Sequence, residues 1–262
     1  MRTLIFNVLA LASIGLMSGS CTVRKADSIE TVKKTVKLSD FNSVTVTGSY
    51  EVEYVPGPAG KAVLEGPADL VENTQLDIRE GQLTVGSREG QLTVGSRTRD
   101  RKTIVVMGHM KPVVVKVSSP RVGSVSVAGS GSFRSAGNME AGRVLLSVAG
   151  SGDVEIPRID CESIEVTIAG SGEVELGDVY ATVADCSVAG SGDIKARLHA
   201  VETTGVGVSG SGDVEIAFDN CGRARVAISG SGDVELSGTL NSLEKSVQGS
   251  GSVDTGRLQL SR

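Results

Sequence analysis

Tryptophan is absent from this 262-residue chain, and aromatic residues make up only 3% of it. A protein that holds sugar rings or bases by stacking needs aromatic platforms, and few are on offer. The core must come from Val, Ile, Leu and Ala, which a hydrophobic content of 39% allows. Positive charge is not in excess: the net charge is −5, which argues against a broad electrostatic footprint for nucleic acid or an anionic membrane. The two histidines, His109 and His199, have no partner at metal or triad spacing, so each reads as a surface or loop residue. No Ser has Gly both two before and two after it, so the nucleophile elbow is missing. No Gly-rich stretch opens a helix or runs into Gly-Lys-Ser/Thr, so phosphate cradles are missing too.

Long apolar runs are also lacking. Leu4 to Met17 follows Arg2 and is too short for a permanent membrane span. It reads as an export signal. Ser18-Gly19-Ser20-Cys21 follows and resembles a bacterial lipoprotein box, although Ser18 stands where Leu is usual. The expectation is a signal peptide over 1–20, lipidation of Cys21 that ties the chain to a membrane, and a charged tether over 21–37.

What the chain has in abundance is glycine, 34 residues of it. The first Gly of each Gly-Ser-Gly falls at Gly129, Gly150, Gly170, Gly190, Gly210, Gly230 and Gly249, at steps of 21, 20, 20, 20, 20 and 19. One fixed period over several copies signals a solenoid. Two before that Gly stand Val127, Val148, Ile168, Val188, Val208, Ile228 and Val247; four after it stand Phe133, Val154, Val174, Ile194, Val214, Val234 and Val253. Positions four before and six after are also mostly apolar, with small or acidic residues between. Alternation on both sides of the glycines predicts two half-buried strands per repeat, joined by a bend. The fold expected is all-β: a single right-handed parallel β-helix of about 20 residues per coil over 38–262. Propeller blades need about 40 residues, and leucine-rich repeats need Leu and Asn at fixed offsets.

Residues 121–262 carry the regular coils, and 38–120 read as irregular coils of the same body. Val46–Tyr54 (VTGSYEVEY) echoes the repeat, with Gly48 lying 81 residues, close to four periods, before Gly129. Strand-like runs follow at Lys61–Glu65, Gln75–Ile78, Thr103–Met107 and Val113–Val117. REGQLTVGS occurs twice, at 79–87 and 88–96. This predicts a projecting hairpin of Gln82–Val85 with Gln91–Val94, turning at Arg88-Glu89-Gly90, with the basic run 97–102 in a loop after it.

With these columns in place, residues 38–262 resemble the auto-transporter adhesin head GIN domain family of Bacteroidetes envelope lipoproteins. The resemblance rests on LSDFNSVTVTGSYEVEYVPG, GQLTV and KVSSPRVGSVSVAGSGSF leading into the Gly-Ser-Gly coils. It implies a right-handed β-helix at the cell envelope and carries no active site with it. The tandem nonapeptide departs from it.

Two surface features are candidates for function, and three cysteines need a reading beside them. Asp153, Glu173, Asp193, Asp213 and Asp233 form an acidic ridge three after the first Gly. Stacked carboxylates repel by under about 1 kcal/mol in water, so the ridge reads as solubility and backbone capping, with weak divalent-cation binding as the alternative. Cys161, Cys186 and Cys221 occupy apolar columns too far apart to pair, about 14 Å for Cys161 and Cys221, and read as core residues. A strip of short residues faces out just before the bend: Ser126, Ser147, Thr167 and Ser187 in one column, Ala149, Ala169 and Ala189 in the next. That strip is the candidate contact face for a glycan, a protein or a second copy. The leading reading is a non-enzymatic binding or adhesion module, without cofactor, on the outer membrane. A structural element of the envelope comes second. A polysaccharide-acting enzyme comes last, because it would need a cluster of acids and bases that breaks the repeat.

Overall fold

The computed structural model describes residues 31–87 and 112–261. Cys21, His109, Gln91–Val94, Thr103–Met107 and the run 97–102 lie outside them. All described strands join one hydrogen-bonded network. In chain order they begin β1 (Thr31–Lys37), β2 (Ser43–Gly48), β3 (Glu51–Pro56) and β4 (Lys61–Pro67). Helix α1 (Ala68–Asn73), β5 (Thr74–Arg79), β6 (Gln82–Ser87) and β7 (Val114–Ser119) follow. The coils then run through β8 (Ser124–Gly129), β9 (Ser132–Ser135), β10 (Met139–Gly150), β11 (Asp153–Gly170), β12 (Glu173–Tyr180) and β13 (Val183–Gly190). They finish with β14 (Asp193–His199), β15 (Thr203–Gly210), β16 (Val214–Gly230), β17 (Asp233–Gly249) and β18 (Ser252–Leu260).

From β8 onward every pairing is parallel, with equivalent repeat positions opposite one another: Val148 pairs Ile168, Gly150 pairs Gly170, and Val154 pairs Val174. The inward columns are those the alternation picks out. Val127, Val148, Ile168 and Val188 are all 0% exposed, as are Phe133, Val174 and Ile194. Identical columns stack because a period of 20 returns each side chain to the same place one coil on. The bend follows from the backbone. The Ser amide of each corner donates to the first Gly carbonyl of the preceding coil, 2.8 Å for Ser171 to Gly150 and for Ser191 to Gly170. This ladder brings glycine against glycine and leaves no room for Cβ atoms.

The amino-terminal part departs from the expected order of coils. The β2–β3 coil pairs in parallel with β8 and β9, so Gly48 lies directly beside Gly129, one layer away and not four. Its other edge takes β6 and β7, also in parallel. The chain thus lays down one coil, builds a second layer on one side of it, and crosses to the other side to begin the repeats. Beyond β7 the pairing turns antiparallel, β7 to β4 and β4 to β1, and β6 pairs antiparallel with β5. These strands and α1 cap the solenoid. Repeat arrays need such ends because a coil's open backbone edge is otherwise a template for another chain.

Two expectations are corrected by this cap. Residues 31–37, assigned to the tether, form β1, whose Val32 and Val36 pack on the core. Gln82–Val85 does form a strand, but both its edges are occupied, by β5 and by β2, so it is no projecting arm. Its hairpin partner is Leu76–Arg79, across a two-residue turn at Glu80 (φ 50°) and Gly81 (φ 78°). Two positive φ values match the type I′ geometry that suits strand twist. At the opposite end, Lys245 replaces the apolar residue four before the Gly, and Val247 is 41% exposed. A charge in a core column discourages edge pairing there.

Candidate binding face and polar ladder

The strip before the bend is one continuous column pair. Parallel register places Ser126, Ser147, Thr167, Ser187, Gly207, Ala227 and Ser246 above one another. Ala149, Ala169 and Ala189 align beside them. From Val127 to Ile228 the residue between the two columns is inward and buried, so the short side chains there sit on a fixed backbone; only at the last coil does Val247 open to solvent. The structure lengthens this strip beyond the repeats. Thr45 and Thr47 of β2 pair with Ser126 and Ala128, and Thr84 of β6 pairs with Thr45. With β6 and β2 included, nine strands stack on this side, spanning about 38 Å at ~4.8 Å per coil. The Gln82 side chain donates to Thr45 Oγ1 at 2.6 Å, and Thr47 Oγ1 donates to the Val85 carbonyl at 3.1 Å, so both threonines are fixed. The echo VTVTG carried the signal for these residues. Its 81-residue offset concealed it, because sequence distance does not report the cap's detour.

The strip is not uniformly flat. Where Gly205 and Gly207 replace larger residues it dips into a shallow hollow of about 450 Å³. Thr167, Ser187, Glu165, Asp185 and Arg225 line it, and the Asp185 carboxylate takes the space a side chain on Gly205 would need. Such a surface offers hydroxyls and backbone to a partner, with charged side chains in the same lining.

Four of the five ridge acids, Glu173, Asp193, Asp213 and Asp233, are engaged internally. Asp193 Oδ1 accepts the Asp213 amide at 3.1 Å, and Asp213 Oδ1 accepts the Asp233 amide at 3.0 Å. Asp233 Oδ1 takes the Ser252 amide at 2.9 Å and its hydroxyl at 2.8 Å. Glu173 meets Lys195 Nζ at 2.8 Å. These carboxylates therefore close the next coil's corner or pair with a cation. Among the described residues no three potential ligands converge on a metal position. Cys186 and Cys221 are buried and Cys161 is half-buried, all as free thiols. Burial pushes the Cys186 thiol up to about 12 and, with Asp160 beside it, the Cys161 thiol to about 11. Neither is poised as a nucleophile.

A third feature lies on the remaining side of the coils. Arg158, Asp178 and Arg197 align in one column, and Asp160, Tyr180, His199 and Asp219 in the next. Rings of Tyr180 and His199 stack at 4.6 Å and 9°, and the Arg158 guanidinium covers the other Tyr180 face at 4.2 Å. Arg158 forks onto Asp160 at 2.8 and 2.9 Å. His199 Nε2 lies 3.0 Å from Asp178 Oδ1 and Nδ1 lies 3.0 Å from Asp219 Oδ2. His199, and then Arg197, hold the Asp178 carboxyl below its usual value. The reading of His199 as a surface or loop histidine is therefore corrected: it lies within β14 with 17% of its side chain exposed. A cluster of acids and bases that breaks the repeat is thus present here. The columns nearest the bend repeat faithfully, and the break falls where β12 and β14 shift register between Glu175 and Asp178. Both Tyr180 faces are covered and both imidazole nitrogens are taken. The ladder thus offers neither a stacking platform nor a free base.

The architecture defines a parallel β-solenoid, capped by antiparallel strands at one end and carrying a long face of small residues. The chain belongs to the family described as "Putative auto-transporter adhesin, head GIN domain", which matches residues 40–220, more than half its length. The fold is shared with a "putative adhesin" from Bacteroides fragilis at 18% identity and a TM-score of 0.71, covering 86% of this chain and 97% of that one. A "putative adhesin" from Parabacteroides distasonis has 14% identity and a TM-score of 0.68, covering 86% and 96%. A "putative lipid binding protein" from the same species has 22% identity and a TM-score of 0.66, covering 85% and 95%. No curated protein matches the chain.

Proposed function

We propose that the protein is a non-enzymatic binding module of the cell envelope whose contact face is the small-residue strip centred on Ser147, Thr167 and Ser187. The observation that carries this reading is the strip itself: from β8 to β16 the stacked strands present short side chains in these two columns, backed by a buried column from Val127 to Ile228. Covering such a surface immobilises little side-chain entropy, and a rigid backing holds the partner's position fixed. A flat, regular partner suits it best, either a glycan polymer or the same face of a second copy. The family's adhesin description supports an envelope or extracellular setting. Lipidation of Cys21 would hold the module at the outer membrane, with the solenoid standing off it. The sealed polar ladder and the internally engaged ridge favour binding over catalysis.

Thr167→Arg with Ser187→Arg places two long cations on the strip without touching the core. Measured on a glycan array and by sedimentation velocity, the double variant is expected to lose binding or self-association at least about tenfold, or 1.4 kcal/mol. Its circular dichroism and melting temperature should stay near the parent's. A double variant that binds and associates as the parent does would reduce the strip to a corner made of small residues.

A further inference from the structure

We propose that His199 is a pH-dependent clasp joining three consecutive coils. Its ring stands between two carboxylates from different layers, Asp178 of β12 and Asp219 of β16, each 3.0 Å from a ring nitrogen. A neutral imidazole has one N–H and one acceptor nitrogen; only the doubly protonated ring donates twice. Both oxygens it faces are acceptors. Asp178 Oδ1 also receives Arg197 at 3.1 Å, and the second oxygen of Asp219 receives Asn220 Nδ2 at 2.9 Å. The ring cannot turn away, because it is stacked on Tyr180, and Tyr180 is held from behind by Arg158. Arg158 in turn is forked on Asp160, which completes the charged groups around the clasp. With both protons on, His199 makes two charge-assisted hydrogen bonds. With one lost, an acceptor faces a carboxylate in a half-buried place, and one bond becomes a repulsion.

The position gives the clasp leverage. Immediately after His199 and Asp219 the chain passes through left-handed residues, Ala200 (φ 53°) and Asn220 (φ 52°). Register also shifts beside the cluster, between Glu175 and Asp178 and between Phe218 and Cys221. The regular ladder is thus weakest on this side, and the histidine bridges it there.

The sign follows from the two partners. The clasp is complete only while the ring carries both protons, so its contribution falls as pH rises and the second proton leaves. Asp178, held below its usual value by His199 and then Arg197, contributes above that usual value and loses its contribution as acid protonates it. The cluster should therefore hold best in a mildly acidic window.

His199→Phe keeps a ring to stack on Tyr180 and removes both hydrogen bonds. The melting-temperature gap between parent and variant should be larger at pH 5.5 than at pH 8.5, by roughly 2–4 °C. A gap of equal size at both pH values would overturn the clasp. Amide exchange of the unaltered protein gives a second reading should the variant fail to fold. Protection over 198–202 and 218–222, normalised to the corner amides of Ser171 and Ser191, should fall severalfold between those pH values. A constant ratio would overturn it equally.

Discussion

Gly170→Ala should unfold the protein at a markedly lower temperature than the parent, although it adds a single methyl group. Gly170 takes φ +137°, in the region that side chains avoid, and a Cβ there would lie 3.0 Å from both the N and the C of Gly150, and closer still to its carbonyl oxygen. That oxygen receives the Ser171 amide at 2.8 Å, so the carbonyl cannot swing aside without breaking the corner ladder. The next coil makes the same demand in turn, since a Cβ on Gly190 would lie 3.0 Å from the Gly170 C. Strain from positive φ and backbone overlap together cost about 3 kcal/mol or more. For a chain of this size that is a fall of roughly 6–12 °C. Ser171→Ala is the control. Ser171 is exposed and takes part through its amide, so its replacement should stay within about 0.5 kcal/mol of the parent. A damaging Ser171→Ala beside a silent Gly170→Ala would reverse the account and make the hydroxyls the reason for the motif. Gly-Ser-Gly is a corner whose glycines stack backbone on backbone, followed by an acid that caps the coil after it.

Phe133→Ala should be the most costly single truncation in the core. Phe133 is 0% exposed and stacks on Tyr54 at a centroid distance of 6.1 Å. Through β9 it lies between Val52 of the inserted coil and Val154 of the repeats. Tyr54 Oη donates to the Ser119 carbonyl at 2.8 Å, and the Ser119 hydroxyl donates to the Phe41 carbonyl, which continues the contact into the cap. Removing the ring leaves a cavity that rigid strands on both sides cannot close. The expected loss is about 3–5 kcal/mol, read as a lower denaturant midpoint. A loss below about 1 kcal/mol would mean that the junction repacks and that cap and repeats are not one core.

Regularity decides how much of this is legible in the sequence. Val148, Ile168 and Val188 can be assigned to the core because each recurs one period on, and the strip and ridge follow from the same columns. The cap obeys no period. β1 carries only Val32 and Val36 among charged or polar neighbours, and it is a strand because β4 is there to receive it. The two-residue turn Glu80-Gly81 is plain in the chain, but the tandem nonapeptide draws the hairpin one repeat too far along. His199 escapes notice for a related reason: the coil shortens by one residue at Arg197, so a column counted from the glycines steps off the ladder there. Function is less legible than fold. The strip is recognisable only as an absence of long side chains, and no residue in it names a ligand.

The central claim is that a capped solenoid continues one face from β6 through β2 into the repeats, and it can be tested with an engineered disulfide. Thr47 and Ala128 are register partners on that face. Adjacent coils lie ~4.8 Å apart, within disulfide reach, whereas coils laid down in chain order would separate them by about 19 Å. With Cys21 replaced by Ser, the double variant Thr47→Cys with Ala128→Cys is oxidised mildly and mapped by mass spectrometry. Cys161 and Cys186 should stay reduced, since their thiols are pushed up to about 11 and about 12. The account predicts near-complete cross-linking between positions 47 and 128, with an unchanged melt or a higher one. Two free thiols at those positions in a folded protein would contradict it.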